Sequence, residues 1–549
     1  MDFIVTMNFR KLLFVILLIG INSTSKGQNC NVILGRPTDT SMTANVLFDQ
    51  NVTAYLEYGL VSGTYTMSTP VINVNASVAT DIDMRFLTGN TRYYYLVKYK
   101  KTGAASYLST PEYSFITQRA KGETFTFTME ADEHLYDKKG VKNMYEVCLK
   151  NQANDKPDFM MSLGDIFGDD HNPKTITSAE LKTLHEDYRP FLGKLCHSIP
   201  FYVCLGNHEG EMDYWLAQTP PNNLAINATL WRKYYYPNPY PNSFYTGNQN
   251  IEPYGVGNPE NYYAWTWGDA QFIVLDAYRD QCDSSAKPQG WNWSLGKPQY
   301  DWLKKTLESS TSKYKFVFCH HVRGQGRGGV TNAKLYEWGG YEQNGTSYTF
   351  DSKRPGWGKP IHKLFVDNGV NIFFQGHDHV FAHEVLDGVT YQALPMAADS
   401  TYMIGKLANA DAYVSDTLDG TGHLRVVVSP ACVKVEYVKA YLPKDTVSGA
   451  HKNAEIGFSY SIGTCPSNTL NPLDKDAVKV YPNPGTSLMS IMFRENIVNP
   501  TMDLYSTTGQ HVMKLSSKDF DVSTLESGIY FLKIETGNSK LTTKIIVNH

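Results

Sequence analysis

Six short apolar runs between residues 122 and 400 limit the possible folds of this chain more than any other feature. Five of these runs end at a cluster of polar residues. Each run has the length of a buried strand. They span residues 125–129, 159–163, 201–205, 272–275, 316–319 and 372–375. Helical patterns at 299–307 and 361–368 lie between them. Buried strands that alternate with helices predict an α/β domain.

The polar clusters hold residue types that bind transition metals. They read Asp132-Glu-His134, Gly164-Asp165, Gly206-Asn-His-Glu209, His320-His321 and Gly376-His-Asp-His379. Ligand sites in open α/β sheets lie beyond the carboxyl ends of the strands, where every cluster falls. Asp, Asn and His suit Zn, Mn or Fe better than Ca or Mg alone. Seven donors exceed the need of one tetrahedral zinc and predict two ions about 3.5–4 Å apart, an arrangement that hydrolyses phosphate esters.

This series of motifs resembles the calcineurin-like metallophosphoesterases over residues 122–400. The resemblance implies a four-layer αββα sandwich that holds two divalent or trivalent ions, Zn, Mn or Fe. It implies one metal site made by Asp132, His134 and His379, a second made by Asn207, His320 and His377, and a bridging carboxylate from Asp165. It also implies that His208 is the catalytic histidine and that a metal-bridging hydroxide attacks phosphorus. Many relatives read His-x-Pro at the fourth motif, which this chain lacks, so His321 stays an alternative to His320.

The chain departs from purple acid phosphatases beside the bridging aspartate. Gly168 stands where those enzymes have a tyrosine ligand, so we expect no tyrosine-to-iron colour, and a ferric ion is not implied. Asp169 and Asp170 are candidates to steady His208, and a solvated turn is the alternative. Arg323 and Arg327 in a glycine-rich stretch are candidate phosphate-binding residues, since an arginine fork can bind a phosphate oxygen. A surface loop is the alternative for them.

The flanking segments predict two further β-domains and an export route. Residues 28–118 resemble the fibronectin-III-like domain that precedes the catalytic domain of purple acid phosphatases, and the catalytic domain is predicted over 122–445. Residues 446–472 are rich in Ser, Asn, Gly and Pro and predict a linker. Residues 473–549 resemble the C-terminal sorting domain of the type IX secretion system. Residues 1–27 have the basic flank, short apolar run and small-x-small ending of a signal peptide.

These patterns together predict an exported enzyme. The chain has 549 residues and a formal net charge of −4, so no basic surface indicates a nucleic-acid partner. No segment after the signal peptide is apolar enough to span a membrane. We expect a phosphoesterase that crosses the periplasm, uses the type IX machinery and releases phosphate from small extracellular phosphate esters at the cell surface or in the medium. A phosphodiesterase or nuclease at the same site and a non-catalytic surface binding protein are the alternatives.

The eight cysteines form no C-x-x-C pair, so neither a zinc knuckle nor a thioredoxin motif is indicated. Export would allow disulfides, for example between Cys196 and Cys204. Cys204 and Cys319 lie inside apolar runs and are more typical of small buried side chains.

Overall fold

A computed structural model of the chain describes residues 30–549 except 138, 168–174, 213–222, 281–289, 323–326, 405–411, 416, 466–470, 473–477, 494–499 and 537–538. The chain divides into two compact units, one that ends at Ile462 and one that begins at Gly463. None of the helices in these described ranges is long and apolar enough to cross a membrane. The predicted signal peptide, 1–27, lies outside the described residues.

The first unit begins with two antiparallel sheets that enclose their own apolar core. The strands are β1 (Cys30–Gly35), β2 (Ser41–Phe48), β3 (Val52–Gly59), β4 (Met67–Ser68), β5 (Ile72–Val74), β6 (Thr80–Arg85), β7 (Arg92–Lys101), β8 (Leu108–Ser109) and β9 (Tyr113–Ile116). One sheet has the order β1-β2-β6, and the other joins β4-β3-β7-β8 with β5 on β3 and β9 on β7. Leu34, Val46, Leu56 and Val97 are buried between the sheets. Alternate residues face this core, as the period of two in the sequence predicts.

The remainder of the first unit alternates strands with helices. Its elements are β10 (Phe125–Glu130), α1 (Lys142–Asn154), β11 (Phe159–Ser162), α2 (Ser178–Leu192), β12 (Phe201–Val203), α3 (Leu224–Tyr235), β13 (Thr246–Gly247), β14 (Tyr263–Trp267), β15 (Ala270–Val274), α4 (Lys297–Glu308), β16 (Tyr314–Phe318), α5 (Val330–Ala333), α6 (Tyr336–Gly339), α7 (Phe350–Lys353), α8 (Ile361–Asp367), β17 (Ile372–Gln375), β18 (Phe381–Leu386), β19 (Val389–Ala393), β20 (Thr417–Leu418), β21 (Gly422–Val428), β22 (Cys432–Lys439) and β23 (Ile456–Gly463). Every predicted run thus contains a strand, and both predicted helices form.

Two sheets pack face to face at the centre. Their orders are β12-β11-β10-β21-β22-β23 and β13-β14-β15-β16-β17-β19-β18-β20. Phe127 and Phe159 of the first sheet contact Phe272 of the second, with ring centroids 5.1 and 5.2 Å apart. Helices bury apolar side chains such as Leu149 and Leu303 in a separate core. The predicted αββα layering is confirmed.

Part of the segment predicted as a linker is a strand. β23 lies at the edge of the first central sheet, within the predicted range 446–472. Phe458, Tyr460 and Ile462 pack against the core between the sheets. The period of two in this segment outweighs its polar composition, so the linker prediction does not hold for 456–463.

The suggested disulfide between Cys196 and Cys204 does not form. Both are free, buried thiols, as is Cys319. Cys204 and Cys319 lie at the ends of buried strands as small apolar side chains, which agrees with the other interpretation of these residues.

The second unit is a small β-structure with its own core. Its strands are β24 (Asn471–Pro472), β25 (Val478–Tyr481), β26 (Leu488–Phe493), β27 (Thr501–Ser506), β28 (His511–Lys514), β29 (Asp519–Asp521), β30 (Gly528–Thr536) and β31 (Ser539–Val547). They form sheets of order β24-β31-β30-β27-β28 and β25-β26-β29. Met489, Leu504, Leu532 and Ile545 are buried between them.

Candidate metal centre

Five loops carry the predicted ligands to one edge of the central sheets. Strands β10, β11 and β12 run parallel in one sheet, and β15, β16 and β17 run parallel in the other. Parallel strands present their carboxyl ends on the same side. The loops after β10, β11, β12, β16 and β17 therefore meet. Backbone hydrogen bonds join them, from the Asp132 N–H to the Gly164 carbonyl at 3.1 Å and from the Gly376 N–H to the His320 carbonyl at 2.8 Å.

Five predicted ligands have a positive φ, which is uncommon for residues other than glycine. The values are 58° for Asp132, 48° for His134, 58° for Asp165, 69° for His377 and 54° for His379. Each such residue costs about 1–3 kcal/mol and persists where its surroundings determine it. The strain is concentrated in three of the five loops, as is typical of functional sites.

Asp132, His134 and His379 form the first group. Their ligand atoms lie within 4.8 Å of one another. The Nε2 atoms of His134 and His379 are 3.0 Å apart, and His379 Nε2 is 3.5 Å from Asp132 Oδ1. Two nitrogen lone pairs at that distance repel each other unless a proton or a cation lies between them. This group suits a cation with mixed nitrogen and oxygen ligands.

Asp165, His320 and His377 form the second group, again within 4.8 Å. His320 Nε2 is 3.2 Å from Asp165 Oδ2 and 3.3 Å from His377 Nδ1. Asp165 Oδ2 is also 3.8 Å from Nε2 of His134 in the first group. The Asp165 carboxylate therefore lies between the two groups, where a bridging ligand would be needed.

Asn207 is buried on the loop after β12 with an unsatisfied acceptor. Asn207 is 6% exposed, and its Oδ1 atom has no hydrogen-bond partner among the described residues. A buried carbonyl oxygen without a partner is costly. Coordination of a cation would satisfy it, so the seven predicted donors fit a binuclear metal site.

Contacts on the outer ring nitrogens orient the histidines. His320 Nδ1 is 2.7 Å from the Leu163 carbonyl oxygen, which can only accept, so Nδ1 carries a hydrogen and Nε2 faces Asp165. His134 Nδ1 lies 3.1 Å from the Tyr136 hydroxyl and 3.4 Å from Asp137 Oδ2. Partners of this kind fix the ring and its tautomer in metal sites.

Burial and mutual charge shift the titration of the group. Burial raises the pKa of Asp132 to about 8. Burial also opposes ionisation of Asp165, but the charges of His320 and His208 hold its pKa well below the usual range. Burial alone would lower the pKa of His320. The negative charge of Asp165 has a larger, opposite effect and raises that pKa to about 10. Burial lowers the pKa of His134 and of His377. Burial thus favours the neutral imidazoles of His134 and His377 that bind a metal, whereas Asp132 and His320 would release a proton when a metal binds.

His208 lies beside both groups and is more exposed than the predicted histidine ligands around it. Its Nε2 is 3.8 Å from Asp165 Oδ2, and its side chain is 12% exposed while that of His320 is fully buried. Its backbone N–H donates to Asp165 Oδ1 at 2.8 Å. With His134 and Asp165 it also forms a third possible ligand group. Its position suits either a substrate-facing role or metal binding.

His321 contacts Tyr278 and the ring of His377. Its Nδ1 is 2.8 Å from the Tyr278 hydroxyl, and its ring stacks on that of His377 with centroids 4.1 Å apart. His320 is the member of the pair that belongs to a ligand group. The geometry thus supports the choice of His320 over His321.

Of the two candidate phosphate-binding arginines, Arg327 is among the residues that the structure describes. Arg327 Nη1 donates to the His377 carbonyl oxygen at 2.7 Å and lies 3.4 Å from Asp378 Oδ1. Arg327 is therefore at the edge of the site, where it supports the loop that carries His377. Arg323, Gly168, Asp169 and Asp170 lie outside the described residues.

Glu209 is a supporting residue to which the sequence analysis gave no role. It is buried and accepts backbone N–H groups of Asp165 at 3.0 Å and Ile166 at 2.8 Å, with a further bond from Gly206. Tyr136 and Tyr278, which contact the site histidines, were also missed. The alternation of a strand could not have indicated Tyr136, because Asp132 and His134 have positive φ and the segment after β10 is not extended.

Gly206→Ala is expected to disrupt the site through contact with two carboxylates. A Cβ at this position would lie 2.3 Å from Asp165 Oδ1 and 2.8 Å from Glu209 Oε2, so both side chains must move. Overpacking of this kind costs about 1–3 kcal/mol. We expect a lower unfolding temperature and weaker metal binding, measured by thermal denaturation and metal analysis. Gly89→Ala is the control, because its Cβ would meet no atom closer than 3.5 Å. Equal losses in both variants would contradict this account.

Comparison with protein families identifies two segments of the chain. The calcineurin-like phosphoesterase family model matches residues 131–381, which include every predicted ligand. The secretion system C-terminal sorting domain matches residues 479–548. No curated protein matches the chain significantly in sequence. The sorting domain indicates export to the cell surface or the medium.

Solved structures show the same fold at low sequence identity. PhoD is 18% identical with a TM-score of 0.55, and the match covers 79% of this chain and 90% of PhoD. The purple acid phosphatase PPD1 from yellow lupin (Lupinus luteus) seeds is 13% identical with a TM-score of 0.53, and covers 79% of this chain and 74% of that one. From the family match, the shared fold and the buried ligand groups, the chain carries a calcineurin-like phosphoesterase domain followed by a secretion-system C-terminal sorting domain.

Proposed function

We propose that this chain is an exported binuclear-metal phosphoesterase that hydrolyses small extracellular phosphate esters and so supplies phosphate. One observation carries the proposal: a single carboxylate, Asp165, lies between two histidine-containing ligand groups at the edge of a phosphoesterase fold. The formal net charge of −4 gives no support to long nucleic acids as substrates.

Seven residues would hold two ions in this site. Asp132, His134 and His379 would bind one, Asn207, His320 and His377 the other, and Asp165 both. Bound there, two transition-metal cations would acidify water and neutralise charge on the phosphoryl oxygens. Zn, Mn and Fe each suit these donors.

The side chains around this ligand set would orient the substrate and move protons. His208, with its partly exposed ring, would donate a proton to the leaving alkoxide or orient the phosphate. Tyr136 and the Leu163 carbonyl would keep the His134 and His320 rings in place. Glu209 would hold the loop that carries Asp165.

A substrate panel on metal-reconstituted protein tests the proposal. The chain is stripped with a chelator, reloaded separately with Zn, Mn or Fe, and assayed with nitrophenyl phosphate, alkyl phosphate monoesters and bis(nitrophenyl) phosphate. We expect metal-dependent hydrolysis with higher kcat/KM for monoesters. The stripped protein is the control for contaminating phosphatases. Faster diester hydrolysis would identify a phosphodiesterase, and no hydrolysis by any metal form would refute an enzymatic role.

A further inference from the structure

A cavity of about 570 Å³ lies between the N-terminal sheets and the segment between α3 and β13. Residues near the start of β2 and along β6 form one side, and Tyr240 and Asn242 form the other. Its volume is within the range of about 300–1,000 Å³ that is typical of ligand sites. The cavity shares no residue with the proposed metal centre.

The charges in this cavity are paired with one another. Arg36 forms an ion pair with Asp81, and Arg85 Nη2 lies 2.9 Å from Asp83 Oδ2. An anion would meet the two carboxylates, and a cation would meet the two guanidinium groups. The cavity therefore suits an uncharged ligand with many hydroxyl groups, to which carboxylates can accept and guanidinium groups can donate hydrogen bonds.

Two aromatic side chains border the same cavity. Phe86 is 91% exposed and has a φ of 60°, a conformation that is unusual for a bulky residue. Tyr240 is 41% exposed, and the Arg36 guanidinium lies 5.4 Å from its ring centroid. The folded chain gains little burial from Phe86, so packing gives no reason for an aromatic side chain there.

We propose that this cavity is a non-catalytic binding site for a neutral saccharide. The apolar C–H face of a sugar ring would pack on Phe86 or Tyr240, while its hydroxyls would bond to the paired charged groups and to the side chains of Thr40 and Asn242. Such a site would keep the exported protein on a glycan. This inference is independent of the proposed phosphoesterase activity.

Titration of the full chain with neutral oligosaccharides tests the site. The probes are soluble oligomers of glucose, mannose, xylose and N-acetylglucosamine, followed by calorimetry. We expect at least one to bind, and Phe86→Ala and Tyr240→Ala each to weaken it roughly tenfold, since loss of an aromatic contact is worth about one decade in Kd. The two variants are independent, so misfolding of one leaves the other decisive.

Tyr254→Ala is the matched control. Tyr254 is also an exposed aromatic residue, 50% exposed with a φ of 59°, but it does not line the cavity. The Tyr254→Ala variant should bind the saccharide as tightly as the unmodified chain. All three variants should hydrolyse nitrophenyl phosphate at the rate of the unmodified chain. The proposal is overturned if no oligosaccharide binds, if Tyr254→Ala weakens binding as much as the other two, or if inorganic phosphate or an extended peptide occupies the cavity instead.

Discussion

Asp165→Ala is expected to abolish hydrolysis and to release both metal ions. Asp165 Oδ2 lies 3.2 Å from Nε2 of His320 and 3.8 Å from Nε2 of His134, so one side chain serves both ligand groups. Its Oδ1 also accepts the His208 N–H at 2.8 Å, which fixes the neighbouring loop. Alanine removes the bridging charge and this bond together. Metal analysis of the purified variant and assay with nitrophenyl phosphate measure the two losses.

Asp387→Ala is the matched control for this experiment. Asp387 is another aspartate with a positive φ, 48°, but its side chain is 66% exposed and its partner is His362. We expect this control to keep its metal and its activity. Retention of two ions by Asp165→Ala would show that Asp165 does not bridge the groups.

The strand ends that form the site were predictable, because the short apolar runs indicate which segments are buried strands. Strands β10, β11, β12, β16 and β17 each begin and end within two residues of the predicted run. Charged residues are uncommon in a buried strand, so a polar cluster directly after each run indicates a functional loop. The resemblance to a known family then assigned a metal to each ligand, and those individual roles stay predictions.

The supporting contacts of Glu209 and Tyr278 were not predictable, because they join residues far apart in the chain. Glu209 bonds to backbone groups 42 to 44 residues before it, and Tyr278 meets His321 across 43 residues. No local pattern encodes such a pair. β23 differs, because its alternating Ile456, Phe458, Tyr460 and Ile462 were visible beside the polar residues that suggested a linker.

The cavity lined by Phe86 and Tyr240, for which we propose saccharide binding, could not be predicted from the sequence either. Phe86 and Tyr240 lie in separate predicted segments, and neither has a motif around it. Only the fold brings a turn of the N-terminal sheets next to the segment after α3. The inference also depends on the exposure of these two side chains, which only the structure shows. In a strand-rich sequence, an aromatic side chain is otherwise expected to be part of the core.

His208→Ala separates the two roles that the geometry allows for this residue. If His208 faces the substrate, the variant should keep both ions and lose rate by about 10²–10⁴-fold, the usual contribution of one general acid. If it binds metal with His134 and Asp165, the variant should lose metal instead. We expect the first result, because His208 is less buried than the ligands around it. His451→Ala, at a side chain that is 52% exposed, is the control and should change neither quantity.

The leaving group then identifies what His208 does for the substrate. An alkoxide with a high pKa must be protonated as it departs, whereas nitrophenolate hardly needs a proton. A general acid therefore predicts a larger loss in kcat for alkyl phosphates than for nitrophenyl phosphate. An equal loss for both esters would assign His208 to positioning of the phosphate. Plotting log kcat against leaving-group pKa for both forms makes the distinction, because loss of the acid steepens the dependence on leaving-group pKa and loss of positioning lowers the line without tilting it.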